Sequence, residues 1–366
     1  MNFCVERAAL ADAVSKLQRV VGAKSALPVL EGILISAEQG KITLVAYNLE
    51  IGLKKEIYAK CEQEGDIVIS ARLLGDILRK LNGLQVEISA DEKLNCHIKS
   101  GEATFDIMGM AATDFPDIPS VSEDNSFTVE GKNFADMVKG TIFAAAQTEG
   151  NKPILTGINF EFKEGKMQVV AIDGYRLAIK KCKTNATKNL NFTATSKSIS
   201  EVIKLVDENT EEVSINVSDR LISFNINGYE FISRLLDGEF VNYGKTIPAL
   251  HTQRVIFPTR ELVNTVERVS LLISESFSTP IRCYFNELNV VFTCATTMGR
   301  ATETVDIKIE GESFEIGLNS RYLLDALRNI EDEKIEILFN GPNAGVVINP
   351  VSGDDFKYMI MPMRLK

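Results

Sequence analysis

The chain repeats itself at a spacing of 124 or 125 residues, and that period limits the folds open to it more tightly than any short motif does. Arg72 and Arg79 lie in SARLLGDILRKL (70–81), Lys197 and Lys204 in TSKSISEVIKLV (195–206), and Arg321 and Arg328 in NSRYLLDALRNI (319–330). Each pair occupies the same place in its repeat. A second series precedes these: FCVERAALADAVSKL (3–17), FTVEGKNFADMVKGT (127–141) and VIFPTRELVNTVERV (255–269), each a short strand running into a helix. The stretches that follow, 28–48, 153–173 and 281–296, alternate apolar and polar residues. In the first two, Gly40 and Gly165 supply turn chemistry, so both read as hairpins. Each third therefore holds a strand, a helix and further strands, then the same order again, which makes six similar units.

Length fits this division, since 366 residues suit two or three domains. Polar segments with proline and small residues, DIPSVSEDNS (117–126) and YGKTIPALHTQ (243–253), serve as joints. The expected domains are 1–120, 127–246 and 252–366. Helices of 3.6 periodicity on half-buried antiparallel strands place the fold in the α+β class.

No apolar run reaches the roughly 18 residues of a membrane span, and the first residues lack the charged-then-apolar order of a signal peptide. A cytoplasmic protein is expected. The six cysteines show no C-x-x-C spacing, which suits buried thiols better than disulfides or zinc. No metal and no cofactor is expected.

A formal charge of −10 argues at first against nucleic acid as a partner. The distribution of charge argues otherwise. On a helical wheel of about 100° per residue, Arg79 returns to within about 20° of Arg72, while Leu74, Ile77, Leu78 and Leu81 gather on the opposite side. Lys197 and Lys204 oppose Ile199, Val202, Ile203 and Val206 in the same way, and Arg321 and Arg328 oppose Leu323, Leu324, Leu327 and Ile330. The first-half helices add Lys132 with Lys139 and Arg260 with Arg268, and Lys24 follows the first helix. Each cation alone reads as a solvated helix face; six in equivalent positions read as a designed cationic face. Such a face contacts phosphate without reading bases. No recognition helix, zinc finger or aromatic RNA platform accompanies it, so the implied target is duplex DNA of any sequence. An acidic chain holds DNA weakly by charge, but a ring that is basic inside and acidic outside would hold it by topology.

Enzymatic readings find little support. His97 sits in an alternating strand pattern and His251 in the second joint, neither beside a nucleophile pattern. Gly244-Lys245-Thr246 resembles the end of a phosphate-binding loop, but Glu239 stands where that motif needs glycine and Pro248 blocks the helix that should follow. Asp354 with Asp355 and Asp114 with Asp117 lie in turn-like contexts. Two alternatives stay open: a metal-dependent hydrolase built on scattered carboxylates, and a repeat scaffold that binds peptides without encircling DNA.

Several stretches carry a further likeness: TDFPDIP (113–119), AIDGYRLA (171–178), SRLLDGEFVNY (233–243), EIGLNSRYLLDAL (315–327) and MPMRL (361–365). On these, and over its whole length, the chain resembles the bacterial sliding clamp family, the beta subunit of the replicative DNA polymerase III holoenzyme. The resemblance implies a non-enzymatic processivity factor: two three-domain chains joined head to tail in a pseudo-sixfold ring around duplex DNA. It also implies a pocket for short peptides of the replicative polymerase, the clamp loader and repair proteins. Carried over residue by residue, that pocket takes Leu155, Ile172, Gly174, Tyr175, Arg176, Leu177, Val241 and Lys245 on one side. On the other it takes Phe277, Asn319, Tyr322, Asn343, Gly345, Met359, Ile360, Met361, Pro362, Met363, Arg364 and Leu365. Tyr175, Val241 and Asn343 depart from the family's commonest pattern. The methionines suit a site with many partners, because their side chains repack easily. By the same resemblance, the homodimer contact is expected to pair Phe105 and Ile107, on an edge strand, with Leu271 and Leu272 at the end of a helix.

Overall fold

The computed structural model describes all residues except 23–24, 123–124, 149, 151, 185–187, 274–278 and 366. The first third runs β1 (Asn2–Glu6), α1 (Arg7–Leu17), β2 (Gly32–Glu38), β3 (Lys41–Tyr47), β4 (Ile51–Tyr58), β5 (Lys60–Gln63), β6 (Gly65–Ser70), α2 (Ala71–Lys80), β7 (Gln85–Ala90), β8 (Asn95–Ser100) and β9 (Ala103–Met108). The middle third runs β10 (Ser126–Glu130), α3 (Gly131–Ile142), β11 (Gly157–Lys163), β12 (Lys166–Ile172), β13 (Arg176–Lys183), β14 (Leu190–Thr195), α4 (Ser196–Val202), β15 (Glu212–Val217), β16 (Leu221–Ile226) and β17 (Tyr229–Arg234). The last runs β18 (Gln253–Pro258), α5 (Thr259–Ser270), β19 (Ile281–Phe285), β20 (Asn289–Thr296), β21 (Gly299–Asp306), β22 (Ile309–Glu310), β23 (Phe314–Leu318), α6 (Ser320–Leu327), β24 (Lys334–Phe339), β25 (Val346–Pro350) and β26 (Phe356–Ile360).

The strand–helix–strands order recurs six times, and both glycine hairpins form, with Gly40 at φ 85° and Gly165 at φ 72°. The third hairpin, β19–β20, turns without glycine at its tip. There Asn286 Oδ1 accepts from the N–H groups of Leu288 (3.0 Å) and Asn289 (3.1 Å), a side-chain substitute for a backbone turn.

The pairing crosses between the halves of each third. The strand before a helix joins the hairpin of the other half: β1 with β7, β6 with β2, β10 with β15, β14 with β11, β18 with β24 and β23 with β19. Two further antiparallel pairings, β17 with β4 and β13 with β26, extend these sets into an eight-stranded and a nine-stranded sheet. The chain accordingly packs as two units. One is Met1–Lys132 with Lys197–Leu235, and it holds the eight-stranded sheet and the sheet β5-β1-β7-β8-β9. The other is Asn133–Ser196 with Leu236–Lys366, and it holds the nine-stranded sheet and the sheet β21-β20-β19-β23.

Helices cover these sheets with their apolar faces. In the first unit α1 buries Leu10, Ala13, Val14 and Leu17, and α2 buries Leu74, Ile77 and Leu78. Each such large side chain contributes about 1.5–3 kcal/mol relative to exposure. In the second unit α5 and α6 lie over a core that includes Phe285, stacked on Phe314 with ring centroids 4.8 Å apart, and Phe339. Among the described residues no helix is long and apolar enough to cross a membrane.

A cationic helix face and a methionine-lined groove

Every described cation of the repeat stands on the solvent side of its element. Arg72 and Arg79 are exposed on α2, opposite buried Leu74, Ile77 and Leu78. Lys132 and Lys139 on α3, Arg260 and Arg268 on α5, and Arg321 on α6 are exposed as well. Two positions differ from the helical reading. α4 stops at Val202, so Lys204 lies on a short 3-10 turn, Ile203–Leu205. The serines of Ser-Lys-Ser-Ile-Ser explain the short helix, because their hydroxyls compete for backbone hydrogen bonds. Arg328 is the C-cap of α6 rather than a residue of its interior. Both remain exposed.

The cations fall into two electrostatic groups. Asp76 stands one turn from both α2 arginines, touching Arg79 and lying 3.9 Å from Arg72 Nε. Lys204 Nζ donates to Glu201 Oε1 at 2.6 Å, and Arg328 Nη2 to Glu267 Oε1 at 2.7 Å. Arg268 Nε donates to Glu303 Oε2 at 3.0 Å, and this contact is the main reason the Glu303 carboxyl titrates below its ordinary range. Lys132, Lys139, Lys197, Arg260 and Arg321 make no ion pair among the described residues.

The candidate groove, made of the residues expected of the peptide pocket, lies within the second unit and begins at the turn before β13. Asp173 Oδ1 accepts from the N–H groups of Tyr175 (2.9 Å) and Arg176 (3.0 Å), closing a turn that needs Gly174 at φ 92°. β13 then pairs with β26, Leu177 opposite Met359 and Arg176 opposite Ile360. The tail continues the ladder, with Met361 N–H donating to Tyr175 O and Met363 N–H to Gly317 O, each at 2.8 Å. Val170, Ile172, Leu177, Ile179, Val347 and Met359 form a buried floor, against which Leu155 and Val241 pack half-buried. Tyr175 is 64% exposed and Met361 37%, so these two stand at the mouth. Gly345 keeps the methionines free: a Cβ there would meet Met359 Cγ and Sδ at 3.0 Å and Met361 Sδ at 3.4 Å. Asn319 caps α6, accepting from the N–H groups of Arg321 (3.0 Å) and Tyr322 (3.2 Å), and the Tyr322 ring lies 4.3 Å from the Arg176 guanidinium carbon.

Comparison with known proteins accounts for nearly the whole chain. Models of the DNA polymerase III beta subunit match at residues 1–119 (N-terminal domain), 128–242 (central domain) and 245–364 (C-terminal domain). The chain belongs to the bacterial sliding clamps, the DNA polymerase III beta subunit family. The beta sliding clamp of Halalkalibacterium halodurans is 29% identical over 379 residues, with both proteins covered fully. That of Staphylococcus aureus is 27% identical over 376 residues, covering 100% of this chain and 99% of the relative. Among solved structures, the Bacillus subtilis DNA polymerase sliding clamp superposes with a TM-score of 0.97 at 27% identity, and the Pseudomonas aeruginosa clamp bound to griselimycin with 0.94 at 27%, each over the full length of both chains.

Set on this clamp fold, the residues expected of the pocket divide by depth. Ile172, Leu177, Met359 and Ile360 are buried beneath the groove, and Arg176 is 6% exposed, so none of these five offers much surface to a ligand. Pro362, Met363, Arg364 and Leu365 line the tail, with Leu365 Cδ2 against Gly317. Lys245 is exposed on a 3-10 turn, and Asn343 is exposed between β24 and β25. Phe277 and Lys24 lie outside the described residues. Phe105 and Ile107 share one half-buried face of β9, the outer strand of its sheet, while Leu271 is 80% exposed at the end of α5 and Leu272 is half-buried.

Sequence reasoning missed the acids. Asp173, Asp325, Glu267 and Glu303 each hold a clamp cation, yet only Asp173 carried a local sign, the Asp-Gly turn pair at 173–174. His97 Nδ1 lies 2.7 Å from Asp106 Oδ1 across β8–β9, an exposed strand pair. Among the described residues no group of histidines, cysteines and carboxylates is arranged to hold a metal.

Proposed function

We propose that two copies of this clamp close head to tail into a ring around duplex DNA, through Phe105 and Ile107 of one copy and Leu271 and Leu272 of the other. The observation that carries the reading is the row of solvent-facing cations at matching repeat positions on a chain of net charge −10. Phosphate contacts of this kind position DNA without selecting sequence. Weak electrostatic grip combined with topological retention leaves the ring free to slide. The repeat boundaries proposed for its domains are 1–120, 127–246 and 252–366, and each carries two of the helices that would face the DNA. The protein works without catalysis or cofactor, in the cytoplasm, after an ATP-dependent loader has opened the ring.

The groove between Tyr175 and Met361–Leu365 is the proposed partner pocket. It would take short peptides of the replicative polymerase, the loader and repair proteins, and it would also take griselimycin, the ligand of the Pseudomonas clamp. Tethering through the pocket raises the polymerase's effective concentration at the primer end, and processivity follows.

The test is retention of labelled protein on nicked circular plasmid, loaded with a cognate loader and ATP, at salt high enough to screen phosphate contacts. Retention on the circle with rapid loss after a single linearising cut establishes encirclement. Equal retention on both forms refutes it, and failure to load with an active loader favours a peptide scaffold that does not encircle DNA.

A further inference from the structure

Arg176 brings a buried positive charge to the base of the groove, and the way it is neutralised ties the groove to a helix of the cationic face. Its side chain is 6% exposed. Nε donates to Asp173 Oδ2 at 3.0 Å, inside the turn that presents Gly174 and Tyr175. Nη1 donates to Asp325 Oδ2 at 2.6 Å, and Asp325 belongs to α6, 149 residues away in the chain. The guanidinium also lies against two rings, with its carbon 4.3 Å from the Tyr322 centroid and 5.6 Å from that of Phe143. Asp325 and Tyr322 are three residues apart on α6, so they reach the guanidinium from one helix face. Between them they clamp it by charge and by stacking.

The contacts on either side matter for the groove. Arg176 opens β13, and the neighbouring Tyr175 carbonyl accepts the Met361 N–H that seats the tail. Asp173 belongs to the turn itself and moves with it. Asp325 is the fixed end, because α6 is held by its buried Leu323, Leu324 and Leu327. A guanidinium can satisfy two carboxylates at once through its planar fork, so the turn takes its position from α6.

We propose that Asp325 is a positioning residue for the partner pocket: from helix α6 it holds Arg176, and through Arg176 it sets the Tyr175–Met361 mouth to which a ligand binds. This rests on the groove being the partner pocket. Arg321 lies on the same helix and makes no ion pair among the described residues, so the element that sets the mouth also carries one of the proposed phosphate contacts.

The experiment is calorimetric titration of full-length wild type, Asp325→Asn and Asp325→Glu with griselimycin. Wild type binds, Asp325→Asn binds about tenfold more weakly, as expected for one lost charge-assisted hydrogen bond, and Asp325→Glu returns to within about threefold of wild type because the carboxylate is restored. Rescue by Glu is the result a purely packing role would not give. Wild-type affinity in Asp325→Asn, or a loss in Asp325→Glu as large as in Asp325→Asn, overturns the proposal while leaving the pocket in place. A wild type that does not bind griselimycin removes the pocket reading and the proposal together. Should Asp325→Asn fail to fold, Arg176→Lys replaces it, since one ammonium cannot fork between both carboxylates. A loss of about tenfold there supports the proposal and unchanged affinity overturns it.

Discussion

The division of the cationic face into free and internally paired groups makes a quantitative demand on DNA binding. Lys197 and Arg321 hold equivalent repeat positions, are exposed, and make no ion pair among the described residues. Replacing both by glutamine removes two positive charges from a chain at −10. If each contacts one phosphate, the slope of log K against log salt should become shallower by about 1.8 per chain, at about 0.9 per contact. Arg268 and Glu303 supply the control, because their side chains already meet at 3.0 Å and replacing both by glutamine leaves the net charge unchanged. A phosphate reaching Arg268 must displace Glu303, so this pair of changes should move the slope by less than about 0.5. The assay is fluorescence anisotropy of a labelled duplex titrated at several salt concentrations, with far-ultraviolet circular dichroism to show that both variants fold. Equal changes of slope in the two variants, or no change in the Lys197/Arg321 pair, would refute the division and with it the claim that unpaired cations carry the DNA contact.

The other expectations concern single sites. Contact with Arg268 holds the Glu303 carboxyl below its ordinary value of 4.5, so the pair's contribution to stability is present above that pH and is lost as pH falls through the depressed folded value. Urea midpoints of wild type and Glu303→Gln should therefore differ near pH 7 and converge below pH 4.5; a gap that widens toward acid would reverse the sign of the argument. Gly345→Ala places a Cβ 3.0 Å from Met359, and because the methionine chain can yield, stability should fall by less than about 1 kcal/mol. Griselimycin affinity should nonetheless drop about tenfold by calorimetry, since the space lost is at the groove. Leu271 is 80% exposed, so Leu271→Asp should fold with a change within about 0.5 kcal/mol yet sediment as a monomer where wild type sediments as a dimer.

What the sequence conveyed and what it withheld separate along physical lines. The six strand–helix junctions, both glycine hairpins and the outward set of arginines and lysines were legible, because side-chain periodicity reports which face of an element is buried. Strand partners were not. Alternation along β1 or β6 says which residues turn inward and nothing about which strand lies alongside, so the cross-pairing of halves and the joining of thirds at β17–β4 and β13–β26 appear only in the fold. α4 read as a helix through Val206, yet it stops at Val202 because a hydrophobic period outlasts its backbone propensity there. The acids that neutralise Arg268 and Arg328 lie 35 and 61 residues away, and Asp325 lies 149 from Arg176, beyond any local pattern.

The two joints between thirds show how one backbone takes a methionine lining in one place and a different lining in the other. At β4–β17 the turn is built as at β13–β26: Asn48 Oδ1 accepts from Glu50 N–H (3.0 Å) and Ile51 N–H (2.8 Å), and Arg234 N–H donates to Glu50 O at 3.3 Å where Met361 meets Tyr175. The left-handed residue is Leu49 at φ 73° where the second joint has Gly174, and Leu221 stands opposite Arg234 where Gly345 stands beside Met361. Ile51 replaces Arg176, so the first joint has no guanidinium to be positioned. Further along, Ile118 and Ser36 hold the places of Tyr243 and Glu161, whose hydroxyl and carboxylate meet at 2.8 Å, and the smaller pair lines a cleft of about 530 Å³. The repeated backbone thus supplies a strand joint twice, whereas a yielding, methionine-lined mouth requires glycine at 174 and 345 together with a fixed charge beneath. A chain carrying Gly345→Leu should keep its nine-stranded sheet and its far-ultraviolet circular dichroism while losing griselimycin binding by calorimetry, because the added side chain fills the space beside Met359 and Met361.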